Sequence, residues 1–70
     1  MSALKLLEDY CVKHELSTPK VFIRYGTYGG KIGVIEIGNK TYKDNHKRDL
    51  ATEATDAAAV IALRDLLDLN

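Results

Sequence analysis

The stretch Asn45–Leu69, NHKRDLATEATDAAAVIALRDLLDL, decides the fold. It holds no proline and no glycine, and alanine and leucine dominate it, so helix propensity is high along its length. Leu50, Ala54, Ala57, Ala58 and Ile61 recur at helical spacing, and Leu66 and Leu67 widen the apolar face. The pattern predicts a helix over residues 46–68. Ala54, Ala57, Ala58 and Ala59 keep that face thin, so a flat partner such as a sheet can approach closely. His46-Lys47-Arg48 opens this helix and Asp65 and Asp68 close it, the reverse of what the helix dipole favours. Charges misplaced at up to about 1 kcal/mol each point to an anionic partner at the basic end. A solvated charged turn is the plainer alternative.

Around that helix there is room for only a little more. Seventy residues make one domain, 1–70, and a chain of this size buries only about 60% of its unfolded surface. The 46% apolar and 29% charged content is that of an ordinary globular chain. Ten basic and ten acidic residues cancel, so no whole-molecule field draws it to nucleic acid or membrane. One cysteine cannot close an internal disulfide, which fits a reducing, intracellular compartment, cytoplasmic or nuclear. No apolar run approaches the roughly 18 residues of a membrane span, and no signal peptide is visible.

Upstream, a first helix is expected from Ala3 to Glu15, capped by Ser2. Ala3, Leu7, Tyr10, Cys11 and His14 fall on its inner side, with Leu4 at the border. Cys11 and His14 lie one turn apart, but no further His or Cys cluster completes a metal set, and both read as core-facing. Ser17-Thr18-Pro19 ends the helix, because a residue before proline avoids helical angles. Lys20–Tyr25, rich in branched and aromatic residues, reads as a strand. Gly26–Gly30 is a loop, with no Lys-Ser/Thr after it and no helix to make it a phosphate loop.

Residues 31–37 form a second strand, and Gly38-Asn39 a two-residue hairpin turn into a third at 40–43. That turn sets Ile37 opposite Lys40, Ile35 opposite Tyr42 and Val34 opposite Lys43. Ile35, Ile37 and Tyr42 then share the core face; Ile32, Val34, Glu36, Thr41 and Lys43 share the outer one, joined by Phe22.

Helix, three antiparallel strands, helix in this length resembles the double-stranded RNA-binding domain. Leu7-Glu8-Asp9 is similar to the family's Leu-x-Glu on its first helix. Pro19-Lys20-Val21-Phe22-Ile23 is similar to its Pro-x-Tyr-x-hydrophobic entry to the first strand. Ala57-Ala58-Ala59, then Ala62-Leu63 and Leu66, resembles its alanine-rich second helix. The resemblance implies an α+β fold, α-β-β-β-α, with both helices packed on one face of a three-stranded antiparallel sheet.

The chain departs from the family where the family grips RNA. The loop Tyr25–Lys31 lacks the Gly-Pro-x-His of the family, and the Lys-Lys-x-Ala-Lys that opens its second helix becomes Ala51, Thr52, Glu53, Ala54 and Thr55. A helix starting a turn earlier, capped by Asn45, brings Lys47 and Arg48 near the missing lysines, with Lys40, Lys43 and His46 flanking them. On this reading Glu8 or Asp9 accepts from a 2′-hydroxyl or a base amino group beside Lys5. Thr27 and Tyr28 contact a minor groove with Lys31, and Lys43, Lys47 and Arg48 face phosphates. About four phosphate contacts give a log-log salt slope of roughly −3 to −4, which is weak binding. The alternative is a degenerate member serving as a protein-interaction or homodimerisation module through Phe22, Ile32 and Val34. No nucleophile, base and orienting group assemble into an enzyme, and no cofactor or metal is implied.

Overall fold

The computed structural model describes residues 2–68, so Leu69, the last residue of the stretch quoted above, lies outside the described residues. The element order is α1 (Ala3–Lys13), β1 (Lys20–Tyr25), β2 (Lys31–Ile37), β3 (Lys40–Lys43) and α2 (Ala51–Leu66). The strands form one antiparallel sheet in the order β1-β2-β3, and the helices cover one face of it.

Ser2 caps α1, its hydroxyl accepting from the Lys5 N–H at 3.1 Å. The helix ends at Lys13, earlier than the proline signal predicts. Glu15 turns left-handed at φ 56°, and the Leu16 N–H reaches back to the Cys11 carbonyl at 2.8 Å, a Schellman stop that satisfies the open carbonyls before Pro19 matters. His14 is therefore a cap residue and not a core residue: it is exposed and lies against the Tyr10 ring, centroids 4.2 Å apart.

The Gly38-Asn39 turn sets the β2–β3 register as the sequence predicts: Ile37 faces Lys40, Ile35 faces Tyr42 and Val34 faces Lys43. Gly38 takes φ 61°, the left-handed angle required at the first central position of a II′ turn. Ile35, Ile37 and Tyr42 are buried, together with Leu7 and Cys11 of α1 and Ala58, Ala59 and Ala62 of α2.

The thin alanine face meets the sheet at one residue. A Cβ at Gly33 would collide with the Ala54 carbonyl, so the backbone of α2 lies almost on the strand. The buried arc of α2 is Ala54, Ala58, Ala59 and Ala62, because this helix is pressed by the sheet on one side and by α1 on the other. Leu50, Ile61 and Leu67, which helical spacing assigns to the apolar face, are exposed: 58%, 37% and 45% of their surfaces stay open.

The largest departure is where α2 begins. His46, Lys47 and Arg48 are not helical. Arg48 pairs with Lys31, each N–H bonding the other's carbonyl at 2.8 and 2.7 Å, which extends the sheet by one bridge and holds the chain out of a helix until Ala51. Leu50, not Asn45, occupies the N-cap, and its side chain caps nothing. The true first turn carries Glu53 and the last carries Arg64, both favoured by the dipole. The reversed-dipole argument for an anionic partner therefore falls away.

Candidate nucleic-acid interface

Asp44, 7% exposed, organises the segment between β3 and α2. Its carboxylate accepts from Arg48 Nε at 3.1 Å, with Arg48 Nη2 also at 3.1 Å, and from the His46 N–H at 3.5 Å. Arg48 is thus already paired with a nearly buried acid. Sequence alone does not mark Asp44, because it falls between the third strand and the helix expected from residue 46, and its contact with Arg48 appears only in the fold.

Lys47, by contrast, is exposed and lies across the β1–β2 loop. A Cβ at Gly30 would stand 2.7 Å from the Lys47 Cβ, and one at Gly26 would stand 3.1 Å from its Nζ. Small residues in the loop make the shelf on which this lysine rests. The loop itself is tight, with Gly26 donating to the Gly30 carbonyl at 3.0 Å. Tyr28 projects from its tip, 97% exposed, with Thr27 exposed beside it. At the loop's base, Lys31 Nζ donates to the Asp49 carbonyl at 2.8 Å. The Lys31–Arg48 bridge thus brings Thr27, Tyr28, Lys31 and Lys47 together beside the entrance to α2.

On the other side of that entrance lies the start of α1. The Ala3 N–H donates to Asp56 Oδ1 at 2.7 Å, and Ser2, Thr52, Glu53 and Asp56 line an open groove between the helices. Lys5, Glu8 and Asp9 are exposed on α1, and Lys5 pairs with Asp9 at 3.2 Å. The loop and the start of α1 thus both border the first turns of α2, and Asp49, Glu53 and Asp56 make that region acidic.

Two expected contributors lie elsewhere. Lys43 shares the outer face of the sheet with Val34, turned away from the helices. Lys40 sits at the opposite, β2–β3 end and pairs with Asp65 at 3.3 Å. Asp65 also accepts from the Tyr42 hydroxyl at 2.6 Å; these bonds hold the Asp65 carboxyl below the usual carboxylate range. Burial, with the Asp65 bond second, pushes the Tyr42 phenol up to about 12.

The outer face is also less apolar than expected. Val34 is only 6% exposed, at the floor of a dish of about 540 Å³ lined with Phe22, Arg24, Glu36 and Thr41. Long neighbours on both flanking strands enclose it. Ile32 is half-buried and Phe22 remains 47% exposed. Burial raises the Cys11 thiol, which keeps it protonated and a poor nucleophile. No group of acidic, His or Cys residues able to hold a metal occurs among the described residues, and no helix there is long and apolar enough to cross a membrane.

No protein-family model matches the sequence, and no curated protein matches it either. Solved structures do. The double-stranded RNA-binding domain of human tRNA-dihydrouridine(20) synthase, crystallised as a double lysine-to-alanine mutant, superposes with a TM-score of 0.86 at 18% identity, over 94% of this chain and 72% of that one. A glutamate-to-alanine mutant of the same human domain gives 0.87 at 16% identity, over 94% and 70%. The domain of a hypothetical protein, determined in solution, gives 0.86 at 16% identity, over 94% of this chain and about half, 52%, of that one. This chain has the fold of a double-stranded RNA-binding domain, α-β-β-β-α.

Proposed function

We propose that the chain is a non-catalytic module that binds double-stranded RNA weakly, by shape and a few phosphate contacts, in an intracellular compartment. The observation that carries this reading is the Lys31–Arg48 bridge. It joins the base of the β1–β2 loop to the entrance of α2, so exposed Thr27, Tyr28 and Lys47 and half-buried Lys31 gather in one patch beside that entrance. The fold supports it further. Shape recognition of a duplex needs hydroxyls and cations spaced over successive grooves more than it needs a high net charge. Lys31 and Lys47 are the phosphate ligands, Thr27 and Tyr28 meet the minor groove, and Glu8 or Asp9 accepts from ribose or base. Arg48 acts from within, by holding Asp44. With about two or three phosphates engaged, the log-log salt slope is only about −2 to −3.

The test is a titration of a labelled RNA duplex of about 20 base pairs, longer than the roughly 16 such a domain spans, with a DNA duplex of equal length as control. Saturable binding of RNA over DNA is expected. Lys47→Glu should weaken it and reduce the salt slope by about 1. Absence of RNA binding at low salt overturns the reading. The acids around the α2 entrance favour a second reading, a protein-binding module with little RNA affinity, and that result would leave it standing.

A further inference from the structure

β1 is an edge strand, paired with β2 on one side only. Its free side can be identified from the far side of the sheet. Lys31 exchanges bonds with Arg48, and Asp44 donates to the Gly33 carbonyl, so the odd-numbered residues of β2 turn their backbone groups toward β3. Alternation leaves Ile32, Val34 and Glu36 to bond Arg24, Phe22 and Lys20 across β1. Val21, Ile23 and Tyr25 therefore direct their N–H and C=O groups outward. Among the described residues, no other backbone group bonds them. The β1–β2 register runs without a bulge, and no proline lies inside the strand. Val21 and Tyr25 point to the helical side of the sheet, yet 39% and 74% of their surfaces stay open. The helices stop short of this edge and leave room beside it.

We propose that β1 is a self-pairing edge, on which a second copy of this chain docks antiparallel about a two-fold axis through Ile23, merging the two sheets into one. An axis normal to the sheet keeps each face on its own side, so only residues of like face can stand opposite. Two centres satisfy this, Phe22 and Ile23. Centring on Phe22 sets Lys20 against Arg24 of the second copy, like charge on like. Centring on Ile23 sets Ile23 against itself and Val21 against Tyr25, so every outward backbone group of the strand finds a partner. It also sets Phe22, 47% exposed, against Arg24 of the second copy, ring to guanidinium, once on each side of the axis. The strand is complementary to itself in that one register. Pairing one short strand is a small contact, so the dimer is weak and its share rises with protein concentration.

Sedimentation equilibrium of the full chain, without RNA, tests this. A monomer–dimer equilibrium is expected. Phe22→Arg places arginine against Arg24 twice and should weaken association about tenfold or more. Phe22→Arg with Arg24→Glu restores opposite pairs in the same register and should recover it to near the wild-type value. Both positions lie on the outer face, so circular dichroism should report an unchanged fold. Should Phe22→Arg fail to fold, Phe22→Glu, which faces Arg24 of the second copy, should tighten association. A wild-type chain monomeric up to about 1 mM, a Phe22→Arg variant as dimeric as wild type, a double variant no better than the single, or a Phe22→Glu variant that does not tighten each overturns the proposal.

Discussion

Gly33 and Ala54 set the distance between the sheet and the helical layer, and a single methyl group would change it. Gly33→Ala drives a Cβ into the Ala54 carbonyl, a backbone atom that cannot rotate away. The variant should lose about 3 kcal/mol or more of stability in urea unfolding. Asp65 shows how a surface contact acquires a pH dependence. Its carboxyl is held low by the Tyr42 hydroxyl and by Lys40. A depressed carboxyl stabilises the fold fully above the ordinary range near pH 4 and loses that contribution as pH falls through its lowered value. The melting temperature of wild type should therefore exceed that of Tyr42→Phe most at neutral pH, and the gap should narrow below about pH 4. On the alkaline side, the Tyr42 phenol is raised from 10.0 to about 12, so wild type should lose stability between those values while Tyr42→Phe does not. Thermal melts of both proteins across pH read both arms.

At the scale of elements, the entrance of α2 is where local and tertiary preferences collide. Residues 46–50 contain nothing that stops a helix, so periodicity runs through them. Two backbone bonds to Lys31 and the nearly buried Asp44 carboxylate outweigh that preference and hold the segment extended. The helix is left with a leucine at its N-cap. Leu50→Asp supplies an acceptor for the open N–H groups while removing a side chain that is 58% exposed. It should stabilise the protein by about 1 kcal/mol, read as a higher urea midpoint with unchanged slope. The exit of α1 is the same lesson in reverse. Glu15 carries no helix-stop signal of its own type, yet it takes the left-handed turn usually given to glycine.

The whole molecule stands on a small core. Its largest fully buried side chains are Leu7, Ile35 and Cys11, and the rest of the packed centre is mostly alanine. A core of this size supplies about 3–5 kcal/mol net, and removing a buried leucine side chain costs about 2–5 kcal/mol. Leu7→Ala should therefore be largely unfolded at room temperature, which far-ultraviolet circular dichroism would show directly. Charge is as finely balanced as stability. Equal numbers of acids and bases leave no net field, so any affinity for an anionic duplex depends on how a few cations are placed. Lys47 lies exposed across the β1–β2 loop and Lys31 at its base, whereas Lys40 and Arg48 pair with acids and Lys43 lies on the outer face of the sheet.

The sequence by itself determined the element order, the strand bounds, the β2–β3 register and the choice of core face. Each follows from short-range causes: the alternation of Ile35, Ile37 and Tyr42, the positive φ that Gly38 supplies, and the alanine content of α2. Only the tertiary structure decided where α2 begins, which arc of it is buried, why Val34 is covered and which cations remain free. Those outcomes depend on contacts between residues far apart in the chain, Lys31 with Arg48 and Gly33 with Ala54 above all. A long-range pair leaves no periodic trace in the sequence, because its energy comes from a neighbour that the local pattern does not contain.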